Sequence, residues 1–318
     1  MNKTAQHTLE SNMQSTALTV FHTMRPNFLL LTLSVVVLGS ALALYDGAAW
    51  STSLFGLILV TALAGHALVN MLNEYQDYHS GLDAITQRTP FSGGSGALVN
   101  NPQAAKAVWR TLIVLLGLTI VLGSYLLYLK GLWLLLLGAA GLLLALFYTS
   151  HITRWPWLCL LAPGTAFGPI MVLGTYAVWS GELTWQACMV SLVPFFLVNN
   201  LLLLNQFPDV QADRQIGRNN VIIRYGKSFS AGLFSLMALG ALFVAAVAVV
   251  VANLPIQTLL GFVLLPLFIK MLLIVWHQSA DSEQNVEKLL PALAMNVIIN
   301  LSMPLLISAG LLWALWTA

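Results

Sequence analysis

The chain has 318 residues, 58% of them hydrophobic and 8% charged, with a mean hydropathy of +0.84. An average soluble domain carries roughly 25% charged residues, so water-soluble globules and disordered chains are both excluded. The formal charge of +2, from 13 basic and 11 acidic residues, is too weak to be the electrostatic footprint of a nucleic-acid partner.

In chain order, residues 1–24 are polar and read as a cytoplasmic arm. A bilayer-crossing helix needs about 20 mostly apolar residues. Nine such runs follow: Phe28–Tyr45, Leu54–Leu72, Val108–Leu129, Leu132–Phe147, Leu158–Val178, Ala187–Leu204, Phe229–Val251, Ile256–Trp276 and Leu289–Leu312. The first begins too late and runs too long for the apolar core of a cleaved signal peptide. Lys130-Gly131 and Pro255 mark tight breaks, while Pro291 and Pro304 should kink the last run. No segment alternates as a transmembrane strand does. Cys159 and Cys188 lie inside apolar runs and form neither a disulfide framework nor a metal-ligand pattern. The expected fold is an all-α integral membrane protein, about nine helices around a central cavity, with residues 25–318 as one domain.

Basic residues orient the bundle. Lys3, Arg25, Arg88, Lys106, Arg110, Arg154, Arg214, Arg218, Arg224, Lys227, Lys270 and Lys288 fall on one side of a nine-span path, and Lys130 alone on the other. The positive-inside rule makes the first side cytoplasmic, with the N-terminus in. A bacterial inner membrane is the simplest setting.

Two acidic stretches leave the bilayer on that same side. Asn70, Asn73 and Asp77 share one face at the end of the second span, and Gly81 lets the chain turn so that Asp83 can fold back. Asn205, Asp209 and Asp213 stripe one face as the sixth span ends, with Pro208 expected to bend it. So many carboxylates converging on one membrane surface repel one another unless a cation sits between them. Mg²⁺ suits such oxygen ligands and takes one or two carboxylates together with substrate phosphates. Each acidic stretch is followed by bases: Arg88 within a glycine-rich loop, then Arg218, Arg224 and Lys227. Arginine and glycine-rich backbone are both suited to phosphate. Arg25 stands at the mouth of the first span, and Tyr148 and Ser150 close the fourth. His66, one turn inside Asn70, reads as a packing residue.

These residues resemble the UbiA superfamily of intramembrane aromatic prenyltransferases. The likeness rests on N-x-x-x-D after span two and D-x-x-x-D after span six. M-R-P, F-Y-T-S and F-G-P-I-M-V-L-G-T-Y support it. Asp83 lies six residues after Asp77, which resembles the branch that prenylates 1,4-dihydroxy-2-naphthoate in menaquinone synthesis. Glu74 stands where that pattern has Asp, and Pro208 interrupts the second motif.

The resemblance implies a Mg²⁺-dependent enzyme transferring a polyprenyl group from an allylic diphosphate to an aromatic acceptor. It implies Asn73, Asp77, Asp83, Asn205, Asp209 and Asp213 as metal ligands, with Asp77 and Asp209 catalytic. Arg25, Arg88 and Arg218 would bind diphosphate, and Asn70, Tyr148 and Ser150 are further candidate substrate contacts. The partners are the diphosphate, the acceptor and the bilayer, with no nucleic acid. Alternatives are 4-hydroxybenzoate, a porphyrin, a quinolone or a lipid as acceptor. From another class, a secondary transporter competes, but its carboxylates belong near the bilayer midplane.

Overall fold

A computed structural model describes residues 15–280 and 286–317. The proposed arm over 1–24 therefore falls outside the described residues up to position 14, as does Lys3. From 15 to 23 the chain is a helix, α1, with Thr19 and Thr23 buried and Val20 packed inward. Every regular element among the described residues is helical.

α2 (Pro26–Tyr45) starts at a proline, whose missing N–H costs nothing in a first turn. α3 (Thr52–Ser80) is capped by the Ser51 hydroxyl, which accepts the Leu54 N–H at 3.3 Å. It runs past the apolar stretch and ends only at Gly81, whose φ of +79° suits a residue without Cβ. Two short helices, α4 (Leu82–Ile85) and α5 (Ala97–Asn100), flank the glycine-rich loop. The hairpin of α6 (Ala105–Lys130) and α7 (Leu134–Phe147) turns at Gly131, at φ +110°.

The fifth run divides into α8 (Pro156–Thr165), a π-helical turn over Ala166–Val172, and α9 (Leu173–Ser180). α10 (Trp185–Gln215) continues straight through Pro208 in hydrogen-bond pattern and carries the whole second acidic stretch. α11 (Val221–Val251) is broken at Gly226, a 3₁₀ segment leads into α12 (Leu265–Ala280), and α13 (Val286–Thr317) passes through both its prolines.

Eight segments among the described residues are long and apolar enough to cross a membrane. The expected fourth crossing is α7, a helix of 14 residues. At about 1.5 Å per residue it extends ~21 Å, less than a hydrocarbon core of ~30 Å. The sequence-based count of about nine thus becomes eight full-length spans and one short helix.

The main core is built from α2, α9, α10, α11 and α13, with Leu38, Leu42, Tyr176, Leu197, Phe234 and Leu293 among its buried members. A smaller cluster joins α3 to α5 and α6 through Leu68, Met71, Leu98 and Val108. Lipid gives helices no hydrophobic reason to associate, so polar pins count for more. Asn200 donates to the Phe234 carbonyl at 2.8 Å, and Asn296 to the Asn200 carbonyl at 3.1 Å. These two bonds tie α10 to α11 and α13.

Candidate active site

The C-terminal ends of α3 and α10 both line one cleft, with about 830 Å³ of space including its open mouth. Helical spacing explains the walls. Asn73 and Asp77 project from α3 one turn apart, and Asn205, Asp209 and Asp213 from α10 on successive turns; all five line the cleft. Gly81 turns the chain so that α4 brings buried Asp83 into the same space.

Arg218 joins the two acidic motifs. Its guanidinium donates to Asp77 of α3 and, at 3.0 Å, to Asp213 of α10. Burial alone would lower its pKa, but the two carboxylates outweigh that and hold it above the ordinary arginine value. Asn220 donates to the other Asp213 oxygen at 3.0 Å and caps α11 through the Ile223 N–H. Thr149 donates to the Asn73 carbonyl oxygen and so fixes which way that amide faces.

Four cleft oxygens are buried with no hydrogen-bond partner: Asp83 Oδ2, Asn205 Oδ1, Gln206 Oε1 and Asp209 Oδ1. An unpaired buried acceptor is costly, and a hard cation is the ligand that suits several of them at once. The donor set, all oxygen, fits Mg²⁺. Among the described residues no three His, Cys, Asp or Glu side chains group closely enough to hold a metal alone.

Asp83 lies outside the spans and its carboxyl is pushed up to about 7, first by burial and then by the charges of Glu74 and Asp77. Tyr148 lines the cleft, and its hydroxyl lies 3.5 Å from the Cys159 carbonyl and 3.7 Å from its sulfur. Burial, reinforced by Cys159, drives that phenol well above its usual range. Tyr148 is therefore a neutral hydrogen-bonding group at any working pH.

Other expected site residues fall elsewhere. Arg88 is folded beneath the glycine loop, where it donates to the Asp83 carbonyl at 2.6 Å and crowds Gly96. Asn70 is buried and donates to the Met24 carbonyl at 2.9 Å, which pins the α1–α2 turn. Ser150 pairs with the His151 ring at 2.8 Å. None of the three lines the cleft. Arg25 does, at 3.8 Å from Glu74 and 4.5 Å above the Phe28 ring.

Sequence reasoning noted Glu74 only as a departure from the family pattern and gave no role to Thr149, Gln206 or Asn220, yet all four line the cleft. Asn220 had a signal, an Asn just before an apolar helical run. The other three sit one position beside a motif residue and carry no spacing of their own.

The UbiA prenyltransferase family profile matches residues 32–316. Among curated proteins, the 1,4-dihydroxy-2-naphthoate octaprenyltransferase of Bacillus subtilis is 27% identical over 205 residues, 64% of each chain. The enzyme of the same name from Haemophilus influenzae is 26% identical over 303 residues, 92% of this chain and 95% of its own. The alignment to the first thus spans somewhat under two thirds of its length, and to the second nearly all. Among solved structures, a UbiA homolog from Archaeoglobus fulgidus bound to GPP and Mg²⁺ superimposes with a TM-score of 0.63 at 15% identity. That match covers 92% of this chain and 99% of the other, a likeness of fold.

Proposed function

The chain belongs to the UbiA prenyltransferase family, and from that premise we propose that it moves a polyprenyl group from an allylic diphosphate to 1,4-dihydroxy-2-naphthoate. The observation that carries the reading is the set of unpartnered oxygens on Asp83, Asn205 and Asp209, placed beside Arg218 and Arg25 in one cleft. The acceptor is supported by the names of the Bacillus and Haemophilus relatives and by the six-residue step from Asp77 to Asp83. The Archaeoglobus homolog, solved with GPP and Mg²⁺, supports the donor and the metal.

Asp77, Asp83, Asp209 and Asp213, with Asn73 and Asn205, would hold Mg²⁺. When bound, the ion supplies Lewis-acid stabilisation of charge on the diphosphate. Arg218 and Arg25 place further positive charge where the leaving group gathers its electrons. The bond from the allylic carbon to the diphosphate oxygen breaks, and its electron pair leaves with the diphosphate. An electron-rich carbon of the acceptor ring then donates its π pair to the allylic carbon, and CO₂ or a proton departs from the ring. The bound substrates would have to exclude water that would otherwise quench the cation. Arg88 contributes at one remove, by holding the Asp83 backbone.

The test uses membranes containing the protein, labelled farnesyl, geranylgeranyl or longer diphosphates, and Mg²⁺ with or without EDTA. Prenylated product is expected with the naphthoate, lost in EDTA, and absent in Asp77→Asn and Asp209→Asn proteins that still insert. Product with 4-hydroxybenzoate alone would move the acceptor to ubiquinone-type chemistry. Flux of substrate across vesicles without any product would sink the enzyme reading.

A further inference from the structure

Glu74 behaves unlike the other acids of the cleft. Its side chain is 1% exposed, yet neither carboxylate oxygen waits for a ligand. Oε1 accepts the Ser95 backbone N–H at 2.7 Å and lies 3.8 Å from Arg25 Nε. Oε2 accepts the Ser95 hydroxyl at 2.6 Å. Asp83 and Asp209, by contrast, each keep a buried oxygen without a partner.

What Glu74 grips are two pieces of the cleft wall outside α3. One is the glycine loop, of which Ser92, Gly93 and Gly94 face the cleft. Gly94 stands at φ +71°, and a Cβ there would lie 3.1 Å from Asp83 Oδ1 and 3.2 Å from Glu74 Oε1. The backbone must come this close for the loop to be held. The other piece is Arg25, whose φ of +52° is uncommon for a residue with a side chain. Such a conformation persists only where surrounding contacts fix it, here the Asn70 bond to Met24 and the Glu74 carboxylate.

We propose that Glu74 is a positioning residue that latches the glycine loop and Arg25 to α3, so that both meet the prenyl diphosphate in one preset geometry. The proposal rests on the prenyl-diphosphate reading of the cleft and adds a residue to it. Glu74 acts through Ser95 and Arg25 rather than on the reacting atoms.

Hydrogen exchange on the full-length protein reads the latch without turnover. In Glu74→Gln, exchange across residues 92–97 should quicken by about tenfold, the order expected for losing a charge-assisted bond. Ser95→Ala removes the hydroxyl bond to Glu74 and also the Ala97 N–H bond to that hydroxyl, so its smaller change is read at residues 92–95, which serves if the first variant does not accumulate. Kinetics on the same samples should show KM for geranylgeranyl diphosphate raised about tenfold in Glu74→Gln, kcat lowered because Arg25 no longer meets the leaving group, and the acceptor KM near wild type. Glu74→Asp, which keeps the charge, should recover part of the loss. Unchanged exchange in both loop variants overturns the latch whatever the activity. Faster exchange with an unchanged diphosphate KM overturns the positioning role. A wild-type protein that protects residues 92–97 yet binds no prenyl diphosphate overturns the prenyltransferase reading, and with it the purpose assigned to the latch.

Discussion

Asp83 couples the cleft to pH. Burial, then Glu74 and Asp77, lift its carboxyl to about 7, with Arg88 and Arg218 pulling the other way. The folded protein therefore binds a proton here between roughly pH 4 and 7, where an unfolded chain does not. The stability this proton brings is present at low pH and is lost as pH rises through about 7. A cation held by Asp83 as proposed would need the deprotonated oxygen, so its binding would release that proton. With pyrophosphate present, the half-saturating Mg²⁺ concentration should fall as pH rises from 6 to 7, by up to about tenfold per pH unit for one proton released, and level off above. Asp83→Asn should flatten the curve, and a flat curve in wild type would place Asp83 outside the metal shell. Residues of this kind were legible from the sequence because helical spacing and a glycine turn fixed their direction. Arg88 and Asn70 were misplaced for a complementary reason. Their partners are backbone carbonyls, of Asp83 and Met24, and a carbonyl leaves no mark in the sequence.

Hydropathy located the helices but not their ends. It stops near Leu72 and Leu204, whereas α3 and α10 run on to Ser80 and Gln215 and carry the acids with them. Polar residues continue a helix when the turn below is already packed, and no apolar signal records it. The fifth run concealed a second feature, the π turn over Ala166–Val172. Gly164 just before it and Gly168 within it explain the close crossing with α10. A Cβ on Gly164 would collide with the Phe195 carbonyl and the Asn199 side chain, and one on Gly168 would come within 2.4 Å of the Ser191 carbonyl. The Gly164 N–H also donates to Asn199 at 2.7 Å. Gly164→Ala must push the two helices apart, at a cost of about 1–3 kcal/mol by the usual scale of overpacking. Gly117→Ala, where nothing lies within 4 Å, should be neutral or slightly stabilising, since alanine favours helix by up to ~1 kcal/mol. Thermal unfolding in detergent separates them: a lower midpoint is expected for the first and an unchanged or higher one for the second.

The path of the chain decides which way the molecule faces. Arg25, before α2, lines the cleft, and so does Tyr148 at the end of α7. α6 begins beside the cleft-end helix α5 and α7 finishes at Tyr148, so the α6–α7 hairpin leaves the cleft end and returns to it although α7 is short. Asn220 lines the cleft before α11, while at the other end of the bundle Trp313 of α13 packs around the same groove as Ile256. Among the described residues the path thus starts at the cleft end and α13 finishes at the opposite end. This is the parity that nine crossings would give, even though one helix is too short for a full hydrocarbon core. Mismatch of this kind is accommodated by local thinning of the bilayer or by flanking residues. The basic residues that follow the second, fourth and sixth runs gather at the cleft end, with Lys130 at the far one. By the positive-inside rule we propose that the cleft faces the cytoplasm, where a water-soluble diphosphate headgroup would reach it. Fusions made in a bacterial host test this directly. A fluorescent protein joined before residue 15 should fold and shine, and alkaline phosphatase joined after Thr317 should be active because it is exported. The inverse pair of results would turn the molecule over. The cleft would then face away from the cytoplasm, and the charge argument for its orientation would fail while the chain path stood.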